Sequence, residues 1–275
     1  KRKMDIKILV AVHKPCTVPE GSVYVPVQAG RALYPAIGHI AGDDTGPNIS
    51  AKNPNYCELT ALYWGWKNLD AEYLGLAHYR RYLAKPGLGR GRARLPGKKE
   101  LQRALQGCDI LLPKKRHYWI ETNYSQYVHA HHQQDLDVTR AILAESWKAY
   151  LPAFDEVMRR RSGHRFNMFV MQKELAQRYC TWLFAVMFEL ERRLDISSYN
   201  ANDARVFGFV AERLLDVWLL QEGLPYRELP VLCTEPVNWL KKGAAFLHRK
   251  WAAGRALGTA DTLESTKEET KSGTV

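Results

Sequence analysis

The sequence predicts an α/β domain with a mostly parallel β-sheet flanked by helices. Ile6–Val12 (IKILVAV) is a short, continuous β-branched run, which is typical of a strand buried on both faces. Further short apolar runs alternate with stretches of helical periodicity, the order expected of a parallel sheet with crossover helices. With 275 residues and 46% apolar side chains, the chain can bury a large core.

Strands and turns dominate the first third of the chain. Residues 23–27 predict a second strand, and residues 43–53, rich in Asp, Asn, Gly and Pro, predict a loop. Asn55 is followed three positions later by a glutamate, the capping-box spacing, so we expect one helix over residues 55–66. The apolar run that follows predicts a single strand over residues 73–82.

The same alternation continues beyond a Gly- and Arg-rich stretch at residues 85–99, which we expect to be an exposed, mobile loop. Apolar periodicity predicts helices at 100–106, 123–149, 174–194 and 205–223, and strands at 109–113 and 166–171.

The carboxyl-terminal part has a different composition. Residues 1–257 are predicted to form a single domain, and residues 258–275, poor in apolar side chains, a disordered tail. In residues 239–255 aromatic and basic side chains interleave, which predicts either a helix resting on an acidic membrane surface or a terminal helix packed on the domain.

Charge and cysteine content restrict the class of protein. Forty Lys and Arg against 29 Asp and Glu give a net charge of +11, which favours an anionic partner such as nucleic acid, an acidic lipid surface or a phosphorylated substrate. Five scattered cysteines without a C-x-x-C pair indicate a reducing compartment. No apolar run reaches the roughly 18 residues that span a bilayer. We therefore expect a cytoplasmic protein that can sit peripherally on the inner face of the plasma membrane.

The predicted strand 73–82 ends in the cationic sequence HYRRY. Ligands of open α/β sheets bind at the carboxyl ends of the strands, so His78, Arg80 and Arg81 are candidates for contacting an anionic ligand. Alternation along a strand places His78 and Arg80 on one face and Arg81 on the other. The alternative is that these residues are surface charges or pair with the helix layer.

The loop DDTGPNISAKN concentrates polar groups. Its candidate ligand-binding residues are Asp43, Asp44, Asn48, Ser50, Lys52 and Asn53. Either aspartate can bind a ribose hydroxyl or a divalent metal, and Lys52 can neutralise a phosphate. The alternative is an ordinary Asx-rich surface turn.

Two candidate general bases lie on predicted helices. His131 and Asp135 are four residues apart, so we expect them on one helix face as a base with its orienting partner, as metal ligands, or as a hydrogen-bonded surface pair. Arg205 and Glu212 are seven apart and share a side, and Glu212 is either a general base or part of a salt bridge with Arg205 or Arg213.

Six segments carry a resemblance to a known family: KILVAVHKP, DDTGPNISAKN, YCELTALYWGWKN, YLGLAHYRRYL, NMFVMQK and RVFGFVAERL. The chain from Ile6 to about Trp239 resembles bacterial surface-polysaccharide glycosyltransferases of capsule and O-antigen loci, long catalogued as a domain of unknown function. The resemblance implies a glycosyltransferase-A-like fold, a UDP-sugar donor (UDP-galactose or UDP-galactofuranose) and a lipid-linked glycan acceptor.

Glycosyltransferase-A enzymes commonly hold a divalent metal with an Asp-x-Asp at the end of a central strand. Here that position reads HYRRY, so we expect transfer that needs no metal, with a manganese or magnesium site at Asp43 and Asp44 as the alternative.

The resemblance and the residues together give one hypothesis for the site. Val12, His13 and Lys14, with the 43–53 loop, are expected to hold uridine and ribose, while residues 78–81 bind the diphosphate. Arg205 is a further candidate for binding the donor. Glu212 is the first choice for the base and Asp135 the second. The rivals are a nucleic-acid-binding protein, although no known binding motif concentrates the basic residues and we expect no nucleic-acid partner, and a non-catalytic scaffold of polysaccharide assembly.

Overall fold

The computed structural model describes residues 4–19, 21–87 and 91–235. The chain divides into two units, residues 1–234 and 235–275. All strands and helices of the described residues belong to the first unit. The predicted interfacial helix at 239–255 and the predicted tail at 258–275 lie outside the described residues. Within the described residues, no helix combines the length and the apolar character needed to cross a bilayer.

A nine-stranded sheet forms the centre of the first unit, with a two-stranded sheet beside it. The strands are β1 Ile6–Val12, β2 Tyr24–Gln28, β3 Ala41–Gly42, β4 Tyr73–His78, β5 Arg81–Leu83, β6 Ile110–Pro113, β7 Arg116–His117, β8 Ser162–Gly163, β9 Phe169–Gln172, β10 Arg227–Leu229 and β11 Val231–Cys233. The main order is β10-β6-β9-β4-β1-β2-β3; β5 pairs with β4 and β11, and β7 with β8.

Most strands of the large sheet run in one direction. Strand β1 pairs in parallel with β2 and β4, with Ala11 opposite His78. Strand β9 runs antiparallel to both β4 and β6, so β6 and its parallel neighbour β10 point the same way as β4. The mainly parallel sheet confirms the predicted fold class. It also brings the carboxyl ends of β1 and β4 side by side.

Helices cover the sheet. They are α1 Asn53–Tyr56, α2 Leu59–Asn68, α3 Lys98–Ala104, α4 Asn123–Val128, α5 Gln133–Ser146, α6 Leu151–Arg159, α7 Lys173–Arg193 and α8 Val206–Glu222. Helices α7 and α8 confirm the helices predicted over residues 174–194 and 205–223. Helix α8 is ended by Gly223, whose φ of 61° is the left-handed conformation that glycine tolerates.

Strand β1 is buried on both faces, as its β-branched run predicts. Leu9 and Ala11 contribute to one apolar cluster, which includes most of the buried side chains of α7 and α8. Ile8, Val10 and Val12 contribute to a second cluster on the other face. Burial of this strand on both sides fixes its register, because a shift by one residue would exchange the two faces.

Four predicted elements differ from the structure at turns. The predicted strand 166–171 begins only at Phe169, because Phe166 and Asn167 have a left-handed backbone. The predicted strand 73–82 ends at His78, and the chain reverses so that Arg81 pairs antiparallel with His78. The predicted helix 55–66 is interrupted at Cys57, whose φ of 53° and ψ of −130° cannot continue a helix. The predicted helix 123–149 is broken between α4 and α5. None of these turns contains a proline or a glycine that would mark it in the sequence.

Candidate functional site

Two adjoining chambers open at the carboxyl edge of the sheet. The larger has a volume of about 450 Å³ and the smaller about 220 Å³. Both are lined by Cys57, Glu58, His78, Arg80 and Arg205. Because these five residues form a common wall, the chambers constitute one composite site.

Six chain segments that are separate in sequence build the walls. The end of β1 supplies Ala11 and His13, and the α1–α2 junction supplies Asn53, Pro54, Cys57 and Glu58. The β4–β5 turn supplies His78, Arg80 and Arg81, the segment before β9 supplies Phe166, and the start of α8 supplies Arg205, Gly208, Phe209 and Glu212. The remaining lining residues of the larger chamber are Ala29 and Tyr34.

The β4–β5 turn changes where its cations point. Strand alternation predicts Arg80 and Arg81 on opposite faces, but the chain reverses after His78 and both arginines line the smaller chamber together with His78. The predicted division of these side chains between two faces is therefore wrong. The reversal concentrates positive charge on one wall.

Aromatic rings support the three guanidinium groups of this wall. Arg81 lies 4.4 Å from the ring centre of Phe166, Arg205 lies 5.2 Å from that of Phe209, and Arg80 lies 5.8 Å from that of Tyr79. Contacts of this kind hold the planar groups in a restricted orientation. Burial lowers the pKa of Arg81 and the adjacent charge of Arg80 lowers it further, while Cys233, Glu212 and Glu58 act in the opposite direction.

His78 is neutral in this environment. Burial lowers the pKa of His78 to about 3, and the charges of Arg80 and Arg81 act in the same direction. Its buried Nδ1 has no hydrogen-bond partner among the described residues. A buried imidazole nitrogen without a partner is costly, so this position is suited to a ligand atom.

His13 and Lys14 lie next to this wall. The His13 ring packs edge-on against Tyr79 at 4.9 Å and stands 5.7 Å from the His78 ring. The Lys14 Nζ lies 5.1 Å from the centre of the Tyr79 ring. His13 lines the larger chamber. The end of β1 and the end of β4 therefore contribute to one site, as their parallel pairing requires.

Two carboxylates face the smaller chamber. Asn167 Nδ2 donates to Glu58 Oε1 at 2.8 Å, and the Phe166 backbone N–H donates to Glu212 Oε1 at 3.1 Å. Phe166 and Asn167 have φ angles of 75° and 52°, so this left-handed pair of residues positions both carboxylates. Burial raises the pKa of Glu58.

The two carboxylates differ in their charged neighbours. The Arg213 Nη1 lies 3.3 Å from Glu212 Oε2. This is one of the two salt bridges that the sequence suggests for Glu212. The second, to Arg205, is replaced by a contact in which Arg205 Nε donates to Cys57 Sγ at 3.2 Å. Burial would lower the pKa of Arg205, but Cys57, Glu58 and Glu212 outweigh it and raise that pKa.

The 43–53 loop is held mainly by its own hydrogen bonds. Asp43 is fully buried; its carboxylate accepts from the backbone N–H groups of Gly30 and Arg31, both at 3.0 Å, and from the Ser50 hydroxyl. Asn48 bonds within the same loop, donating to Gly46 O and accepting from the Ser50 N–H. These contacts indicate a structural role for Asp43, Asn48 and Ser50.

The other predicted residues of this loop are separated. Asp44 is exposed, and Lys52 is hydrogen-bonded at 2.6 Å to Glu191 on α7. Asn53 lines the larger chamber and donates to Cys57 O at 2.8 Å and to the Thr60 hydroxyl at 3.2 Å. The structure thus brings Asn53 to the chambers and places the remaining predicted loop residues outside their linings.

Asp135 lies outside both linings as well. It is buried and accepts hydrogen bonds from the Tyr127 hydroxyl at 2.7 Å and the Tyr199 hydroxyl at 2.6 Å. The expected pairing of His131 with Asp135 on one helix face is wrong, because α5 begins at Gln133 and His131 lies before it. His131 bonds Asp203 at 3.1 Å instead. This arrangement favours a structural role for Asp135.

Several lining residues were not predicted as site residues. Cys57, Glu58, Tyr34 and Phe166 are among them. Cys57 and Glu58 belong to the segment YCELTALYWGWKN, which carries the family resemblance. Their place in this segment is the feature of the sequence that could have identified them as site residues. The position of Phe166 depends on its left-handed backbone conformation, which the surrounding sequence does not predict.

The residues at this site do not fit a divalent metal. Within residues 4–19, 21–87 and 91–235, no three His, Cys, Asp or Glu side chains form a candidate metal-binding group. The common wall instead carries Arg80 and Arg205, with Arg81 beside them, and a dication there would be repelled. Three arginines against the carboxylates of Glu58 and Glu212 leave an excess of positive charge, which suits an anion better than a dication. Metal independence of the reaction itself stays a prediction.

A further depression of about 590 Å³ lies at the opposite, amino-terminal end of β4. It is lined by Met4, Asp70, Ala71, Glu72, Tyr73, Gln172, Lys173 and Glu174. Its exposed Lys173 pairs with Asp70 at 2.6 Å. This depression lacks the cationic wall of the two chambers, and we do not assign it to the functional site.

The mainly parallel sheet with β9 inserted antiparallel, and a site at the strand ends, define an α/β fold of the glycosyltransferase-A-like kind. Residues 7–223 match the model of a domain of unknown function, DUF4422, and the chain belongs to that family. The solved apo structure of the WbbM bifunctional glycosyltransferase is similar, with a TM-score of 0.76 and 32% identity. The match covers 84% of this chain and 46% of that one, so this chain spans about half of its relative's length. No curated protein is significantly similar in sequence.

Proposed function

We propose that the protein is a glycosyltransferase that uses a UDP-sugar, UDP-galactose or UDP-galactofuranose, to extend a lipid-linked glycan in capsule or O-antigen synthesis at the cytoplasmic side of the membrane. The main observation that supports this proposal is the cationic wall formed by Arg80, Arg81 and Arg205 beside His78, whose buried Nδ1 has no hydrogen-bond partner among the described residues. The similarity to a glycosyltransferase supports the class of reaction.

The larger chamber is suited to the nucleoside. Tyr34, 48% exposed at its rim, offers a ring on which a base can stack, and His13 and Asn53 offer polar groups for ribose. The diphosphate would then reach the common wall. Guanidinium groups match phosphate oxygens in geometry and charge, and the neutral His78 can donate one hydrogen bond.

The chemical step needs a leaving group, a nucleophile and a base. The acceptor hydroxyl oxygen attacks the anomeric carbon, the bond from that carbon to the β-phosphate oxygen breaks, and its electron pair leaves with UDP. Arg80, Arg81 and Arg205 stabilise the charge that develops on the departing phosphate. In an inverting reaction, Glu212 takes the hydroxyl proton, and Glu58 on the shared wall is the alternative base.

Calorimetric titration of the full chain with uridine, UMP, UDP, UDP-galactose and a single-stranded oligonucleotide tests the proposal. We expect UDP to bind with a dissociation constant of about 1 mM or tighter and at least about 100-fold better than uridine, because the phosphates make the charged contacts. Binding of the oligonucleotide but not of UDP would favour the nucleic-acid rival. Binding of neither would favour the scaffold.

A further inference from the structure

Two adjacent large apolar side chains, Trp119 and Ile120, are exposed on the surface of the described part of the chain. Trp119 is 88% exposed and Ile120 is 71% exposed, well above the other exposed large apolar residues, Leu33, Tyr34 and Leu220, which reach at most 48%. Two adjacent large side chains of this kind, held in water, indicate an interaction surface.

Backbone and side-chain hydrogen bonds hold the bend that contains Trp119 and Ile120. The Glu121 N–H donates to Tyr118 O at 3.0 Å and closes a tight bend with Trp119 and Ile120 at its apex. The Tyr118 N–H donates to Arg161 O at 2.7 Å, and Arg165 Nε donates to the Tyr118 hydroxyl at 2.8 Å. The exposure of Trp119 and Ile120 is therefore a property of an ordered bend.

Basic residues surround this bend. Lys114, Lys115 and Arg116 precede it, and β7 pairs antiparallel with β8, which follows the run Arg159, Arg160 and Arg161. Glu156 is shared between Arg159 and Arg160, and Glu121 pairs with His129. Among the residues the structure describes, no carboxylate lies within ion-pair distance of Arg116 or Arg161. The patch thus carries a clear excess of positive charge.

We propose that this surface, the Trp119 tip, docks on an anionic lipid bilayer. Tryptophan favours the headgroup region because its ring is apolar and its N–H is polar, while Ile120 would enter the acyl boundary. The flanking lysines and arginines would attract acidic headgroups, and salt would weaken that attraction. Neither step depends on nucleotide binding, although a membrane position suits the lipid-linked acceptor proposed above.

The test uses the full chain and sedimentation with vesicles of phosphatidylcholine alone or with 30% phosphatidylglycerol, about the proportion that gives a strongly anionic surface. We expect binding to the anionic vesicles only. The variant W119S/I120S and the charge variant R116E/R161E should each lower the partition coefficient at least about tenfold. The matched control K99E/K148E changes the net charge equally at exposed sites elsewhere and should stay within about twofold of wild type.

Other outcomes would overturn the proposal. They are wild-type binding by W119S/I120S, equal binding to neutral vesicles, or equal losses in R116E/R161E and K99E/K148E. A loss seen only when the basic residues of segment 239–255 are neutralised would assign membrane binding to that segment instead. Unchanged UDP affinity in W119S/I120S separates this result from the fate of the proposed glycosyltransferase activity.

Discussion

Arg205 Nε donates a hydrogen bond to Cys57 Sγ at 3.2 Å and thereby joins the start of α8 to the break between α1 and α2. Both residues line both chambers. The contact holds Arg205 at the wall that also carries Arg80, and burial raises the pKa of the Cys57 thiol to about 11, so that the thiol stays neutral. The thiol thus holds Arg205 without neutralising it, and the nearby Glu58 and Glu212 favour the charged guanidinium.

Replacing this cation should weaken donor binding. We expect R205Q to lower UDP affinity about 10- to 100-fold, the range for losing a charge-assisted hydrogen bond. The control R140Q removes an exposed arginine of α5 that pairs with Asp155 and should leave affinity unchanged within error. Calorimetry of both variants measures this, and equal affinities in R205Q and wild type would remove Arg205 from the donor site.

The two carboxylates of the smaller chamber should separate binding from turnover. We expect E212Q to lower the transfer rate at least about 100-fold, the usual contribution of a general base, with UDP affinity kept within about threefold. The variant E58Q serves as the matched comparison. Should E58Q lose turnover while E212Q keeps it, the base would be Glu58, and full activity in both would place the base elsewhere.

The first two aspartates of the loop should behave differently. We expect D43N to destabilise the fold by about 1–3 kcal/mol, because the buried carboxylate accepts from two backbone N–H groups and one hydroxyl that an amide satisfies less well. The exposed neighbour gives the control, since D44N should stay within about 0.5 kcal/mol. Urea denaturation of both variants decides, and equal stabilities would contradict a structural role for Asp43.

His78 should make stability depend on pH. Its pKa is lowered from 6.5 to about 3 in the folded protein, so below pH 6.5 the unfolded chain binds the proton and the folded chain does not. The free energy of unfolding that His78 contributes at pH values above 6.5 therefore decreases progressively as the pH falls toward 3. We expect the melting temperature of wild type to fall more steeply than that of H78Q between pH 7.5 and 4.5. Parallel curves would show that His78 is not held neutral.

Much of the fold follows from local patterns in the sequence. The β-branched run of β1, the periodicity of α7 and the glycine at the end of α8 each predict the element that forms. The site is less accessible to such reasoning, because Cys57 and Phe166 have positive φ angles that these residue types rarely adopt, so tertiary contacts and not local preference fix them.

The cationic sequence HYRRY illustrates both limits. Its residues are correctly predicted to lie at the strand end, since an apolar run that stops at charges marks the edge of a sheet. The reversal that brings Arg80 and Arg81 to one chamber is a tight turn in which Arg81 pairs with His78, and β5 then pairs with β11, which is about 150 residues away in sequence. Long-range pairing of this kind cannot be deduced from the segment itself.

The central claim is that Arg80 and Arg81, which follow β4, and Arg205, which precedes α8, hold the diphosphate of the donor. A crystal structure of the protein soaked with UDP and manganese tests it most directly. We predict phosphate oxygens within hydrogen-bond distance of Arg80, Arg81 or Arg205 and of the His78 ring, and no manganese between those groups and the phosphates. A nucleotide bound away from this wall, or held to it through a manganese ion coordinated by Asp43 and Asp44, would contradict the claim.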